Sequence, residues 1–490
     1  MPSLAPSRPR TAHGLARWVG PGLVLLLFCE PAHGFLANGA HSADPGVEAF
    51  APDGTPAQYA PDRVVDLEHA DIAVFPDLVG QRVTGVVSYR ARILDPDARE
   101  ITLDGVDLRI ISASIDGKPT TVNTVDDKIH VALPPEHGAA VDLQIEWTAE
   151  PGLGLYFFGP ASTDGRAKAL RDGDETPPRR GVPERRLALQ AWTQGEMHET
   201  RHWLPVWDYP NDRFSTSWHI FAPAELSVLA NGEAVGSEAA SAASMPGPIA
   251  QHVNEQPDLI KVWHYEQAGD HVSYLLSFVV GRFEVVREDW RGKPIEYWVP
   301  LGRSDEARAT FGATPAMLEF YSEWIGVEFP WAKYAQSAVQ EFTFGGMENV
   351  SATTMTDQIL HPARLEPIAD RQGLVAHELA HQWWGDLLTC REWAHVWLNE
   401  GFATYFGALW DEHSGGEDQF ALTRRGMAIS YFAEARRYRR PIVTHEFRWA
   451  STMFDRHTYP KGGWVLHMLR RELGDPAFRR AISRYAKDNA

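Results

Sequence analysis

This 490-residue sequence predicts a multidomain α+β chain, with an antiparallel β domain in front of a mainly α-helical one. Three observations lead there. Between about residues 60 and 285, short runs alternating with period two lie between turn signals, and no helix-length amphipathic pattern interrupts them. From Asp305 the apolar spacing becomes that of a helix, with Ala309, Ala313, Met317, Phe320 and Tyr321 on one face. A hydrophobic fraction of 44% over this length supplies enough apolar surface for two or three cores.

The first segment stands apart. Arg8, Arg10 and Arg17 precede an apolar run, Val19 to Cys29, that is too short to span a bilayer, and Ala32-His33-Gly34 offers small residues for cleavage. Residues 1–34 read as a secretory signal peptide, with an uncleaved anchor as the alternative, followed by a Pro-, Ala- and Gly-rich leader over 35–60. The expectation is an exported protein, periplasmic or extracellular, with no transmembrane span once the leader is removed. Of two cysteines, Cys29 and Cys390, only the second would remain, so no internal disulfide forms and Cys390 is expected to be buried packing. A net charge of -19 excludes nucleic acid and anionic membranes as partners, since both need a basic face.

In the β domain, placed at 61–285, Asp71 to Val74, Gly85 to Arg90 and Val141 to Trp147 are the clearest strands, the last with unbroken alternation. The charged, Pro-bearing stretch Gly165 to Arg186 reads as a solvated loop. Around Glu284 to Pro300 the strand pattern fades, which puts the start of a second domain, 286–490, in that region.

Within that domain, His377-Glu378-Leu379-Ala380-His381 forms an HExxH motif. On a helix the two histidines lie one turn apart, so both imidazoles can grip one zinc ion while Glu378 stays free to act as a base. A catalytic zinc takes three protein ligands and keeps one position open. Glu400 is the natural third: eighteen residues separate it from His381, enough to finish one helix through Trp384, cross a polar turn and enter a second helix from about Leu398 to His413. Gly415-Gly416 is the stop signal of that second helix, and small side chains at Ala403, Thr404 and Gly407 permit close helix packing.

HExxH, eighteen residues, then Glu400 within WLNEGFATY resembles the aminopeptidase N family of zinc metallopeptidases, the gluzincins, over the chain from about Asp66 onward. The resemblance implies a saddle-like N-terminal β domain, a thermolysin-like catalytic domain and one Zn2+ per chain. It also assigns further residues. Thr193-Gln194-Gly195-Glu196, followed by Arg201, Pro205 and Asp208-Tyr209-Pro210, is similar to the family segment whose glutamate binds the α-ammonium of the substrate, so Glu196 takes that part. Gly345-Gly346-Met347-Glu348-Asn349 resembles the family's G-x-MEN exopeptidase motif, in which glycines let a peptide lie close to the backbone and Glu348 is the second amine-binding carboxylate. Tyr459, in Tyr459-Pro460-Lys461-Gly462, resembles the tyrosine that donates to the oxyanion. Without the family, these would pass for a surface glutamate, a turn and a half-buried aromatic.

The implied activity is removal of single residues from peptides with a free N-terminus, with Glu378 as general base and Tyr459 as oxyanion donor. A thermolysin-like endopeptidase would share HExxH and the distal glutamate without the two amine-binding carboxylates, and an inactive binding scaffold would have lost a ligand or the base. The family continues beyond the tyrosine helix into a C-terminal helical domain, whereas this sequence ends at Ala490 after a helix opened by Asp475-Pro476. The catalytic domain is therefore expected to be truncated at its C-terminus, as a fragment or a minimal form, with the far wall of the site missing.

Overall fold

A computed structural model describes residues 50–159, 188–241, 245–253, 259–365 and 371–490. The expected signal peptide, most of the leader and the charged Gly165–Arg186 stretch lie outside the described residues.

The front half is built on an eight-stranded sheet whose strands run, in spatial order, Glu233–Ala239, Ile260–His271, Phe214–Pro223, Val65–Asp77, Arg82–Ile93, Ala140–Ala149, Arg109–Ile115 and Lys118–Pro119. Alternation explains its buried face: Val141, Leu143, Ile145, Trp147 and Ala149 point inward from one strand while Asp142 and Gln144 point to solvent. Trp147 is fully buried, and its indole N–H donates to the Trp203 carbonyl at 2.8 Å. Gly85 faces that ring so closely that a Cβ there would stand 2.5 Å from it. Three- and four-stranded sheets complete this half. One pairing departs from the antiparallel expectation: Val65–Asp77 runs parallel to Phe214–Pro223, with Ile72 opposite Trp218. Most of the β half lies between these two strands in sequence, a connection long enough to return the chain in the same direction, and alternation carries no information on direction.

The second half opens with a five-stranded sheet in the order Phe283–Trp290, Lys293–Pro300, Tyr334–Val339, Ala352–Thr356 and Gly346–Met347. The first two strands form a hairpin where the sequence pattern fades. Mid-strand, Arg287 pairs across to Glu296 at 3.0 Å, and this charge pair obscures the alternation. Helices Ser304–Phe311 and Thr314–Ile325 follow, separated at Gly312, then Gln372–His381, Trp397–Glu434, Pro460–Leu473 and Asp475–Asn489. The first zinc-motif helix ends at His381 rather than Trp384, because Gly385 and Trp384 turn the chain into a bridge with Leu388. The second runs past its expected stop: Gly416 adopts φ +80°, ψ −175°, which breaks the helical path, and a further helical segment resumes at once and continues to Glu434.

The halves share one apolar core, in which Trp192 and Tyr274 from the front pack with the helices behind. Polar ties hold the seam. Asn231 donates to the Val350 carbonyl at 2.8 Å, the Gly232 amide to Ser351 Oγ at 2.7 Å, and the buried Lys333 ammonium to the Ala230 carbonyl at 2.8 Å. The first two bonds end on Val350 and Ser351, just after Glu348, so the β half locates that loop. Among the described residues, no helix is long and apolar enough to cross a membrane.

Candidate active site

The helix Gln372–His381 and the start of Trp397–Glu434 meet face to face, and three side chains converge between them. His377 Nε2 and His381 Nε2 are 3.0 Å apart, and Glu400 Oε2 lies 3.3 Å from the first and 3.2 Å from the second. All three residues are buried. Ligand atoms of a tetrahedral zinc site with bonds of about 2.0–2.1 Å sit roughly 3.3 Å from one another, so the set is already spaced for a metal. Its chemistry agrees: Glu400 Oε2 is buried with no hydrogen-bond partner, and two imidazole nitrogens face each other across it. The tautomer of His381 follows from its other nitrogen. Nδ1 donates to the Trp384 carbonyl at 2.9 Å, which leaves the Nε2 lone pair for the metal. Burial would raise Glu400, but the neighbouring His381 and His377 hold it down at about 2, so it is ionised.

Glu378 is buried beside this triad, and burial pushes its carboxyl well above the usual range. Gly346 lies against it: a Cβ at that position would fall 2.4 Å from Glu378 Cδ. Gly346 and Met347 form the last strand of the five-stranded sheet, bonded on one side to Ala352–Thr356 and leaving its other side as a sheet edge. An extended peptide can add to such an edge.

Glu196 and Glu348 come from opposite halves of the molecule and meet here. One oxygen from each, with one from Glu400, lies within a 4.8 Å cluster. Oε1 of Glu196 and Oε1 of Glu348 are buried without a partner. Burial and then the Glu348 charge push Glu196 well up, and burial pushes Glu348 to about 6. Four carboxylates are gathered here, those of Glu348, Glu378 and Glu400 buried and that of Glu196 half-buried, an arrangement that calls for cationic ligands. The loop bearing Glu196 is braced by Arg201, whose guanidinium donates to Asp208 at 3.1 Å.

Tyr459 precedes the helix Pro460–Leu473, and its hydroxyl donates to Glu400 Oε1 at 2.8 Å while its ring stacks on His377. Burial, then the Glu400 charge, keep the phenol protonated and hence a donor. Its helix crosses the Glu400 helix at two glycines: a Cβ on Gly401 would lie 2.9 Å from the Gly462 Cα.

Several positioning residues escape the motifs. Gln382 donates to the Glu348 carbonyl at 2.9 Å and accepts from the Ser351 amide at 2.8 Å, joining the Gly346–Asn349 loop to the zinc-motif helix. Asn399 accepts from the Cys390 amide at 3.0 Å and donates to Tyr274 Oη at 3.1 Å. Both are polar residues flanking a motif on an otherwise apolar surface, which was their only signal. Arg440 and Asp455, paired at 2.6 Å and buried, organise the turn before Tyr459: Asp455 accepts from the Thr458 amide at 3.0 Å, and Arg440 donates to Thr458 Oγ1 at 2.8 Å. Cys390 is buried and free.

Residues 309–490 match the Peptidase family M1 domain. Aminopeptidase M1-C of Oryza sativa subsp. japonica is 29% identical over 313 residues, which are 61% of this chain and 33% of the relative. Aminopeptidase M1 of Arabidopsis thaliana is 26% identical over 435 residues, 86% of this chain and 46% of the relative. The chain thus spans between a third and a half of the length of these curated relatives. Among solved structures, a mutant of a two-domain M1 zinc metallopeptidase bound to L-tryptophan is similar with a TM-score of 0.65 and 25% identity, covering 88% of each chain. The M1 zinc metallopeptidase from Deinococcus radiodurans shares the fold with a TM-score of 0.63 at 24% identity, over 87% of this chain and 88% of that one. Native yeast LTA4 hydrolase shares it with a TM-score of 0.69 at 18% identity, over 87% of this chain and 62% of that one. With a zinc-type triad between two helices, residues 309–490 carry a Peptidase family M1 domain, and the chain is similar over most of its length to aminopeptidases and M1 zinc metallopeptidases.

Proposed function

We propose that this protein is a zinc-dependent aminopeptidase that removes single residues from the free N-terminus of peptides. The observation that carries the reading is the meeting of Glu196 and Glu348 with the metal-ligand carboxylate of Glu400, one oxygen of each within 4.8 Å of the others. Two carboxylates so close to the triad, each with a buried oxygen that lacks a hydrogen-bond partner, suit a primary ammonium whose own carbonyl is the next group along the chain. Only one residue fits between them and the scissile bond. The names of the relatives, aminopeptidases and zinc metallopeptidases, support the same activity.

His377, His381 and Glu400 would hold the zinc, which when bound supplies a Lewis acid and a water acidified to about pKa 7. Glu378 takes a proton from the attacking water and returns it to the leaving amine. Tyr459 Oη supplies a hydrogen bond to the oxygen that gains charge. Glu196 and Glu348 orient the substrate through its ammonium, and the edge of Gly346–Met347 holds its backbone.

Kinetics on free and N-acetylated forms of the same peptides test this. Acetylation is expected to abolish turnover, and equal rates would replace the proposal with endopeptidase action. Export is part of the same proposal, supported by the basic, apolar and small-residue sequence of 1–34. N-terminal sequencing of protein from a secreting host is expected to begin near residue 35, and recovery of the intact leader would count against cleavage.

A further inference from the structure

Glu196 reaches the triad from the β half, and no hydrogen bond holds its buried Oε1. The place of this carboxyl is therefore set through the backbone on either side of it. On one side Gly195 is pinned within its own half: a Cβ there would fall 2.4 Å from the Tyr274 carbonyl oxygen, and the Glu199 amide closes the turn on the Gly195 carbonyl at 2.8 Å. On the other side, two residues on, His198 meets the helical half. The Trp393 indole N–H donates to His198 Nε2 at 2.5 Å.

Trp393 opens the 3-10 turn Trp393–His395, which leads through Val396 into the helix that carries Glu400. Its indole is buried among Tyr274, Phe454 and His198, with ring centres 5.5, 5.9 and 5.4 Å away. An indole N–H in such a place needs an acceptor, and the imidazole supplies it. Tyr209 stacks on that imidazole, with ring centres 5.6 Å and planes 23° apart, which steadies the ring. Burial, then the charge of Arg201, lower His198 to about 3, so above that pH the ring is neutral and Nε2 stays an acceptor. One bond thus joins the segment bearing Glu196 to the chain that enters the Glu400 helix.

We propose that, with Glu196 the amine anchor described above, His198 is a positioning residue for substrate: by accepting the Trp393 indole it sets the Glu196 carboxylate relative to Glu400, and so fixes where the ammonium sits against the metal site. The seam bonds from Asn231 and Gly232 end beside Glu348. The His198–Trp393 bond gives the other carboxylate a reference of its own on the helical half.

The test is steady-state kinetics of the zinc-loaded full chain on an aminoacyl arylamide, with zinc content measured alongside. His198→Phe keeps a ring for Tyr209 to stack on and removes the acceptor. It is expected to raise KM roughly tenfold, with kcat within about twofold of the parent and zinc unchanged. Trp393→Phe removes the donor instead and is expected to raise KM by a similar factor, which keeps the test open if His198→Phe does not fold. His198→Gln, whose Oε1 can stand in for Nε2, is expected to restore most of the loss. Glu196→Ala separates positioning from support of the fold: once the carboxylate is gone, His198→Phe is expected to add nothing further to KM. A KM for His198→Phe equal to the parent's, a KM for His198→Gln as high as that for His198→Phe, or a rise of the same size with and without Glu196 overturns the proposal. A KM for Glu196→Ala equal to the parent's overturns instead the amine anchor on which it rests, so the two failures are told apart.

Discussion

Tyr459 and Glu400 are joined by a hydrogen bond of 2.8 Å from the phenol to Oε1, the oxygen turned away from the two histidines. The proposed oxyanion donor and the proposed third metal ligand are thus held in one contact. Tyr459→Phe removes the donor while His377, His381 and Glu400 remain. Turnover is expected to fall roughly a hundred- to a thousandfold with zinc content unchanged, measured on aminoacyl arylamides. Near-normal turnover would remove Tyr459 from the chemistry.

Gly346 and Glu378 are in close contact, and a methyl group at 346 would sit 2.4 Å from the carboxyl carbon of the base. The acid must move, since the glycine backbone is tied into the sheet. Gly346→Ala is therefore expected to cost on the order of a hundredfold in kcat through misplacement of Glu378, with little change in thermal stability. A kcat equal to that of the parent would show that Glu378 tolerates the shift.

Glu348 titrates at about 6. Above that value it is ionised and can pair with an ammonium, and below it the carboxyl is neutral and the pairing is lost. KM for arylamides is expected to rise as pH falls through about 6, and Glu348→Gln should raise KM and abolish that dependence. An unaltered acidic limb in the variant would contradict the amine anchor.

Asp455 is held down to about 2 from an ordinary value of 3.8; burial opposes this, and bonds from His457 and Arg440 outweigh it. A carboxyl lowered in the folded state contributes stability that is fully present above 3.8 and is lost as pH falls through about 2. That contribution is about 2 kcal/mol at neutral pH. Asp455→Asn also leaves the buried Arg440 charge unpaired, so denaturant unfolding at pH 7 should show a larger loss, about 3–5 kcal/mol, shrinking toward pH 2. A deficit that does not vary with pH would contradict this assignment.

The convergence of His377, His381 and Glu400 was legible because helical spacing translates directly into direction: two residues four apart share a face, and a third can reach them only from a second helix. Glu196 and Glu348 were legible only through family resemblance, since their meeting depends on how two halves dock, and local periodicity says nothing of docking. The Arg440–Asp455 pair was invisible because both residues stand in irregular segments of the second half, where no periodicity sets direction. Strands such as Ala140–Ala149 declared themselves by alternation, but the parallel partner of Val65–Asp77 did not. The hairpin Phe283–Pro300 was hidden by the cross-strand pair of Arg287 and Glu296, which interrupts its apolar pattern. Gly416 shows how a correct local signal misleads over longer range: it breaks the helical path, and the chain takes up a helix again directly after it.

The glycine crossing of Gly401 and Gly462 has a bearing on how the cleft opens. Backbones in contact without intervening side chains leave no slack, so the metal carboxylate and the phenol travel as a single block. Glu196 and Glu348, by contrast, sit on opposite banks of the seam between the β half and the helices. Any parting of these two carboxylates has to strain the bonds from Asn231 and Gly232 to Val350 and Ser351, whereas the Glu400 carboxylate and the Tyr459 phenol are held within the helical half alone, so the two pairs answer to separate joints of the molecule.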